Sequence, residues 1–286
     1  MIDLAIHWNV DPVIFNIGSF GLRWYSMGFL LAFLLGYLIV YRMFRRENVD
    51  TKYLDSLIVY IFLAVLIGAR LGHCLFYEPD YFCTSEHWLE IILPINLKTG
   101  AFTGYQGLAS HGAAIGVLFS LWLYYKRYGM NPFWIVDRLV IVIALGGAFV
   151  RLGNLFNSEI YGVETSLPWG VIFDRNGETV PKHPTQIYEA LSYFLIFAAT
   201  YIVYLRKDGK LHAGRIFGWW LIALFGVRFL IEFVKEEQVA FERGMMLDMG
   251  QWLSIPFIVA GIVLVVLSHR GKIPEAVFLN DKHKKK

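Results

Sequence analysis

Three arginines, Arg70, Arg151 and Arg228, interrupt stretches of the chain that are otherwise almost free of charge. The planar fork of arginine holds phosphate or carboxylate oxygens two bonds at a time, so its presence in apolar surroundings points to an anionic ligand. Arg151 and Asn154 are spaced i, i+3 and share a helical face, and Glu232 lies at i+4 from Arg228. Glu189 supplies a second carboxylate within an apolar stretch. Three arginines against two carboxylates leave a positive excess, which disappears if Glu159 joins them. His111, in Ser110-His111-Gly112-Ala113-Ala114-Ile115-Gly116, adds the side-chain type that titrates nearest neutrality, the natural general base of such a group. Taken singly, Arg151 could snorkel to a nearby surface, and a lone helical histidine is more often a structural donor. The eight histidines contain no i, i+4 pair, and Cys74 and Cys83 lie apart from the rest, so no metal-ligand spacing is present.

The elements that must position these residues are apolar helices. Of the 286 residues, 57% are hydrophobic, 17% aromatic and only 17% charged. Such a composition excludes an ordinary soluble domain and predicts an all-α polytopic membrane protein. A spanning helix needs about 20 predominantly apolar residues. Seven stretches approach that length, at 24–41, 56–77, 107–125, 139–156, 187–205, 216–234 and 250–268. The fourth and sixth qualify only with their arginines included. Residues 1–15 lack a basic region followed by an apolar run, so no cleaved signal peptide is read there. No internal repeat is found. The expected organisation is one integral-membrane domain over 1–269, with outer insertions at 78–105 and 157–186, followed by a basic tail at 270–286.

Lysine and arginine set the orientation. One set of connections, including the tail, carries seventeen of them and the other set six. The positive-inside rule therefore predicts an outer N-terminus and a cytoplasmic C-terminus. The first outer insertion mixes Glu78, Asp80, Glu86 and Glu90 with Trp88 and apolar runs, as an arm resting in the interface would. In the second, Asn176-Gly177 between short apolar runs reads as a tight hairpin turn within a small cap. The lysine-rich tail suits topology or anionic headgroups, not nucleic acid. With this orientation Tyr25, Arg70, His111, Arg151, Glu189, Arg228 and Gln251 all fall toward the outer ends of their spans, while the inner halves are nearly bare. Independent snorkelling would populate both leaflets, so one shared polar site facing the outer leaflet is expected. A transporter would continue its polar path inward.

Arg151-Leu-Gly-Asn154-Leu-Phe-Asn-Ser-Glu159-Ile-Tyr-Gly162 resembles the signature of the bacterial prolipoprotein diacylglyceryl transferases. Further matches follow in family order. They are Leu22-Arg-Trp-Tyr25-Ser, Gly68-Ala-Arg70-Leu-Gly, Ser110-His111-Gly112, His183-Pro184-Thr-Gln186-Ile-Tyr188-Glu189, Arg228-Phe-Leu-Ile-Glu232-Phe and Met249-Gly250-Gln251. Ala113 departs from the pattern where a second glycine often follows the histidine, and Leu224 where some members carry tyrosine. The resemblance implies an enzyme of the bacterial cytoplasmic (inner) membrane. It would transfer the diacylglyceryl group of phosphatidylglycerol to the lipobox cysteine of a prolipoprotein signal peptide, forming a thioether and releasing glycerol 1-phosphate. It further implies His111 as base and Arg151 and Arg228 as the phosphate clamp. Tyr25, Arg70, Asn154, Glu159, Gly162, Glu189, Glu232 and Gln251 would surround the substrate. Nucleophile and leaving group both come from substrates, so no cofactor is expected. The alternative reading is an anionic-solute or lipid transporter or binding scaffold built on the same arginines.

Overall fold

The computed structural model describes residues 6–18, 20–84, 86–93, 95–101, 107–236 and 247–279. Arg243 and the lysines of 282–286 lie outside them, so the end of the expected basic tail is not described. Each of the seven apolar stretches is a helix. They are α1 (Trp24–Arg46), α2 (Thr51–Phe76), α4 (Ser110–Tyr128), α5 (Pro132–Phe156), α6 (Thr185–Arg206), α7 (Arg215–Glu232) and α8 (Met249–His269), with a single turn, α3 (Pro79–Phe82), in the first insertion. Five of them, α1, α2, α5, α6 and α8, are long and apolar enough to cross a membrane. The 18 residues of α7 include Arg215, Arg228 and Glu232, and α4 ends on Lys126 and Arg127. Their outward faces are apolar: Phe33 is 62% exposed and Leu195 70%, an arrangement at home in lipid rather than water. The architecture is that of a polytopic membrane protein.

The chain divides into two compact units, Met1–Glu47 with Phe133–Glu275, and Asn48–Pro132 with Ala276–Lys286. In the first, α1, α5, α6 and α7 share a core of Met43, Ile141, Ala144, Tyr193, Ile196, Ile216 and Leu221 with their neighbours. Gly218 of α7 and Gly261 of α8 let that hairpin close; a Cβ on Gly218 would sit 2.9 Å from the Gly261 carbonyl oxygen. Lipid tails are as apolar as leucine, so helices in a bilayer associate through such close packing and through polar links. The fourth apolar stretch gains its length at its N-terminal end, because α5 begins at Pro132 and takes in Asp137 and Arg138. Here the expected bare inner half of the span is corrected. Arg138 pairs with Glu47, and Tyr204 donates to the same carboxylate at 2.8 Å. Asp137 accepts the backbone N–H groups of Gly214 and Phe217, the orphan donors at the start of α7. These charges are therefore spent on structure.

The second unit is built on α2 and α4, which meet backbone to backbone. A Cβ on Gly72 would lie 2.8 Å from Gly112 Cα, and one on Gly68 or Gly116 would collide with the facing carbonyl. An apolar groove of about 550 Å³ runs beside the contact, lined by Leu63, Ile67, Leu71, Ile115 and Phe119 among others. Tyr124 donates to the Tyr53 carbonyl at 2.6 Å and fixes the far end.

Short strands accompany the helices. β1 (Ile6–His7) pairs in parallel with β4 (Val171–Ile172), and β2 (Val13–Ile17) pairs antiparallel with β3 (Phe20–Arg23) ahead of α1. The expected tight hairpin at Asn176-Gly177 is a wider loop. Gly177 does take the left-handed conformation (φ 73°), but it ends a short 3-10 turn (Asp174–Asn176). The closing backbone pair is Val171 with Lys182. Extra residues between the paired positions rule out a two-residue turn.

Candidate active site

Polar residues of the first unit link α5, α6, α7 and α8, with Tyr25 of α1 packed beside them. Arg151, in the last turns of α5, brings Nε to 2.6 Å from Glu189 Oε2 on α6, whose side chain is 1% exposed. Neither Glu189 oxygen receives an aligned hydrogen bond among the described residues, so this contact is an ion pair that leaves lone pairs uncommitted. Arg151 Nη1 reaches Asn154 Oδ1 at 3.3 Å, and Asn154 Nδ2 donates to Glu159 Oε1 at 2.7 Å. Tyr25 opens α1 with its ring packed on Gly153, where any Cβ would collide with it. One turn beyond Glu189, Tyr193 lies in the electrostatic field of Glu189, Arg151 and Arg228. On α8, Gln251 closes a capping box with Asp248 and donates to the Phe229 carbonyl of α7 at 3.2 Å. A Cβ on its neighbour Gly250 would meet the Glu232 carboxylate.

Glu159 reaches these residues through an unusual turn. Ser158 and Ile160 both have positive φ, 55° and 60°, a conformation disfavoured for any side chain and most of all for a β-branched one. The surrounding bonds hold it there. Gln186 Nε2 donates to the Glu159 carbonyl at 2.8 Å, and Thr185 Oγ1 to the Ile160 carbonyl at 2.9 Å. The turn folds the Glu159 carboxylate back onto Asn154 and Asn157. Such local strain persists only where neighbours over-determine it, commonly at functional sites. The His183-Pro184-Thr185-Gln186 motif was visible in the sequence, but its task of clamping this turn was not.

Lys235 is the residue that sequence reasoning missed. It is 8% exposed, with Nζ 3.9 Å from Glu189 and 3.6 Å from Glu232. Only its closeness to Glu232 in the chain hinted at it, because Lys235 lies beyond the end of α7 and reaches the carboxylates through the bridge to Gly162. With Lys235 and Glu159 counted, Arg151, Arg228 and Lys235 face Glu159, Glu189 and Glu232, and the expected positive excess in this part of the molecule vanishes. Arg228 nevertheless has no ion-pair partner among the described residues. Nearby in the cap, Lys182 lies 3.2 Å from Glu236 and 3.6 Å from Glu178. Burial opposes its charge, yet the carboxylates outweigh it and its pKa is raised.

Arg70 and His111 belong to the second unit. Arg70, 7% exposed, donates to the carbonyls of Glu90 at 2.7 Å and Ile91 at 3.2 Å and lies over the Phe82 ring. It thereby holds the short helical turns of the first insertion. Glu90 itself accepts from His87, the Leu97 N–H and Tyr81, and these bonds, His87 foremost, lower its pKa. His111 stands in the first turn of α4, exposed and without a hydrogen bond among the described residues. Cys74 is buried and Cys83 exposed, and both are free thiols.

Comparison with known proteins adds a family. A family model described as prolipoprotein diacylglyceryl transferase matches residues 12–267. A Bacteroides fragilis protein named phosphatidylglycerol–prolipoprotein diacylglyceryl transferase is 44% identical over 272 residues, covering 94% of this chain and 97% of its own length. Proteins of the same name from Tolumonas auensis (44% over 268 residues, 93% and 99% covered) and Chloroherpeton thalassium (38% over 264 residues, 92% and 94% covered) are similar along the same extent.

Proposed function

The chain belongs to the prolipoprotein diacylglyceryl transferase family, and from that premise we propose how its residues carry out the transfer. It is a transferase acting on phosphatidylglycerol and prolipoprotein. The acceptor is the thiol of a lipobox cysteine. Its sulfur attacks the glyceryl carbon that bears the phosphate ester, the C–S bond forms as that C–O bond breaks, and glycerol 1-phosphate leaves. The thiolate is the nucleophile, so the thiol proton must go to a base. His111, exposed and without a hydrogen bond among the described residues, is assigned that part.

The leaving phosphate gains negative charge as the C–O bond breaks, and fixed cations placed for that charge lower the barrier. Arg228 and the outer edge of Arg151 fill this role. Glu189 fixes Arg151 through Nε, and the Asn154–Glu159 relay fixes it through Nη1. Tyr25 and Gln251 bound the headgroup. Arg70 we assign to the insertion it holds rather than to the lipid.

The seven apolar helices are read as seven spans, the family as one of the bacterial inner membrane, and the lysine and arginine distribution as giving an outer N-terminus and a site facing the outer leaflet. The observation that carries this reading is Arg228, without an ion-pair partner among the described residues, beside the polar residues that α5, α6, α7 and α8 bring together. Purified protein incubated with headgroup-labelled phosphatidylglycerol and a lipobox peptide should release labelled glycerol 1-phosphate and yield a thioether-linked peptide. Absence of both products from a folded preparation would refute the assignment.

A further inference from the structure

Gly162 and Lys235 are coupled in a way that explains both. An antiparallel bridge joins Gly162 to Lys235, and Val163 N–H donates to the Val234 carbonyl at 3.0 Å. Any Cβ at Gly162 would strike that carbonyl and would lie 2.7 Å from His183 Cβ. Only glycine lets the strand-like segment after α7 lie this close, and that approach buries Lys235 between the Glu189 and Glu232 carboxylates. At 3.9 and 3.6 Å its ammonium is too far for hydrogen bonds, so it acts on both by charge.

The consequence falls on Arg228. Glu232 lies one turn beyond it on the same helix, the spacing at which arginine and glutamate ordinarily pair. Here Glu232 lies within ion-pair distance of Lys235 instead, and Arg228 is left without an ion-pair partner among the described residues. We propose that Lys235, seated by Gly162, is a positioning residue that occupies Glu232 and Glu189 and so keeps Arg228 open for the phosphate of the lipid substrate. This rests on the transferase reading above. It gives Gly162 a role through packing rather than through contact with substrate. Without Lys235, Glu232 turns to Arg228 and competes with the lipid phosphate.

The test is direct binding, titrating phosphatidylglycerol into detergent-solubilised protein and following tryptophan fluorescence. Lys235→Met should weaken binding about tenfold or more, the scale expected when a buried charge loses its partner, while Lys235→Arg should stay within about threefold of wild type. In a Glu232→Gln background, Lys235→Met should cost no more than about twofold, because the carboxylate one turn beyond Arg228 is gone and Glu189 stays paired with Arg151. Equal penalties in both backgrounds, or unchanged binding in Lys235→Met, would overturn the proposal. Wild-type protein that neither binds phosphatidylglycerol nor transfers from it would instead refute the underlying reading.

Discussion

Arg151 and Arg228 differ in what surrounds them, and the difference sets what each substitution should do. Arg151 is committed on its Nε edge to Glu189 and through Nη1 to Asn154. A lysine there keeps one charge but cannot serve both partners and a phosphate together. Arg228 has no such ties among the described residues, so a lysine loses only the two-pronged grip on the ligand. Both Arg→Lys variants should lose activity, with Arg151→Lys also lowering the melting temperature and Arg228→Lys leaving it near wild type. Turnover assays and thermal melts on the same preparations check both statements. His111 poses a separate question, because it is exposed and makes no hydrogen bond among the described residues. As the base, its change to glutamine should reduce the rate about 10²–10⁴-fold without loss of folding. Raising the pH should partly rescue the variant, since more of the acceptor thiol then ionises unaided. Parallel rate–pH profiles for His111→Gln and wild type would assign the proton elsewhere.

At the scale of elements, glycines decide which helices can meet. Gly68 and Gly112 bring α2 and α4 into backbone contact, with no room for even one methyl group. Gly68→Ala should therefore force the helices apart, costing about 1–3 kcal/mol, the usual penalty of overpacking. Gly226 of α7 offers a matched control, because a Cβ there meets nothing within 4 Å. Gly226→Ala should hold or raise the melting temperature, since alanine is the better helix former. Thermal melts of the two variants in one detergent distinguish a packing glycine from a tolerated one. The turn at Ser158–Ile160 is the opposite case. There two residues other than glycine are held in the left-handed region by Thr185 and Gln186 so that Glu159 can reach back to Asn154.

For the whole molecule, the unequal distribution of lysine and arginine predicts which surfaces face which compartment. Cys83 is exposed in the first insertion, which the positive-inside rule places outside. An impermeant thiol reagent should therefore label native Cys83 in intact spheroplasts. A cysteine at Lys272, on the opposite set of connections, should react only after lysis, measured in a Cys83→Ser background. Labelling of Lys272→Cys in intact spheroplasts would invert the orientation and move the site to the inner leaflet.

Sequence alone determined the helices and marked the polar residues set within them. Seven apolar stretches became seven helices, because membrane length and apolar composition are local properties that no tertiary contact needs to supply. Arg151, Asn154, Glu189 and Gln251 stood out because polar residues are rare and costly in such stretches. Tertiary structure alone decided their partners. Asp137 and Arg138 read as part of a connection until α5 was found to start at Pro132 and Glu47 and the start of α7 took up their charges. Arg70 read as a ligand for an anion, yet it spends donors on the carbonyls of Glu90 and Ile91. Lys235 read as one more loop lysine, until its burial beside two carboxylates emerged from a contact with Gly162, more than seventy positions earlier in the chain. A residue's type states what it could bond, but which group lies within a few ångströms depends on how distant segments pack, and no local pattern encodes that.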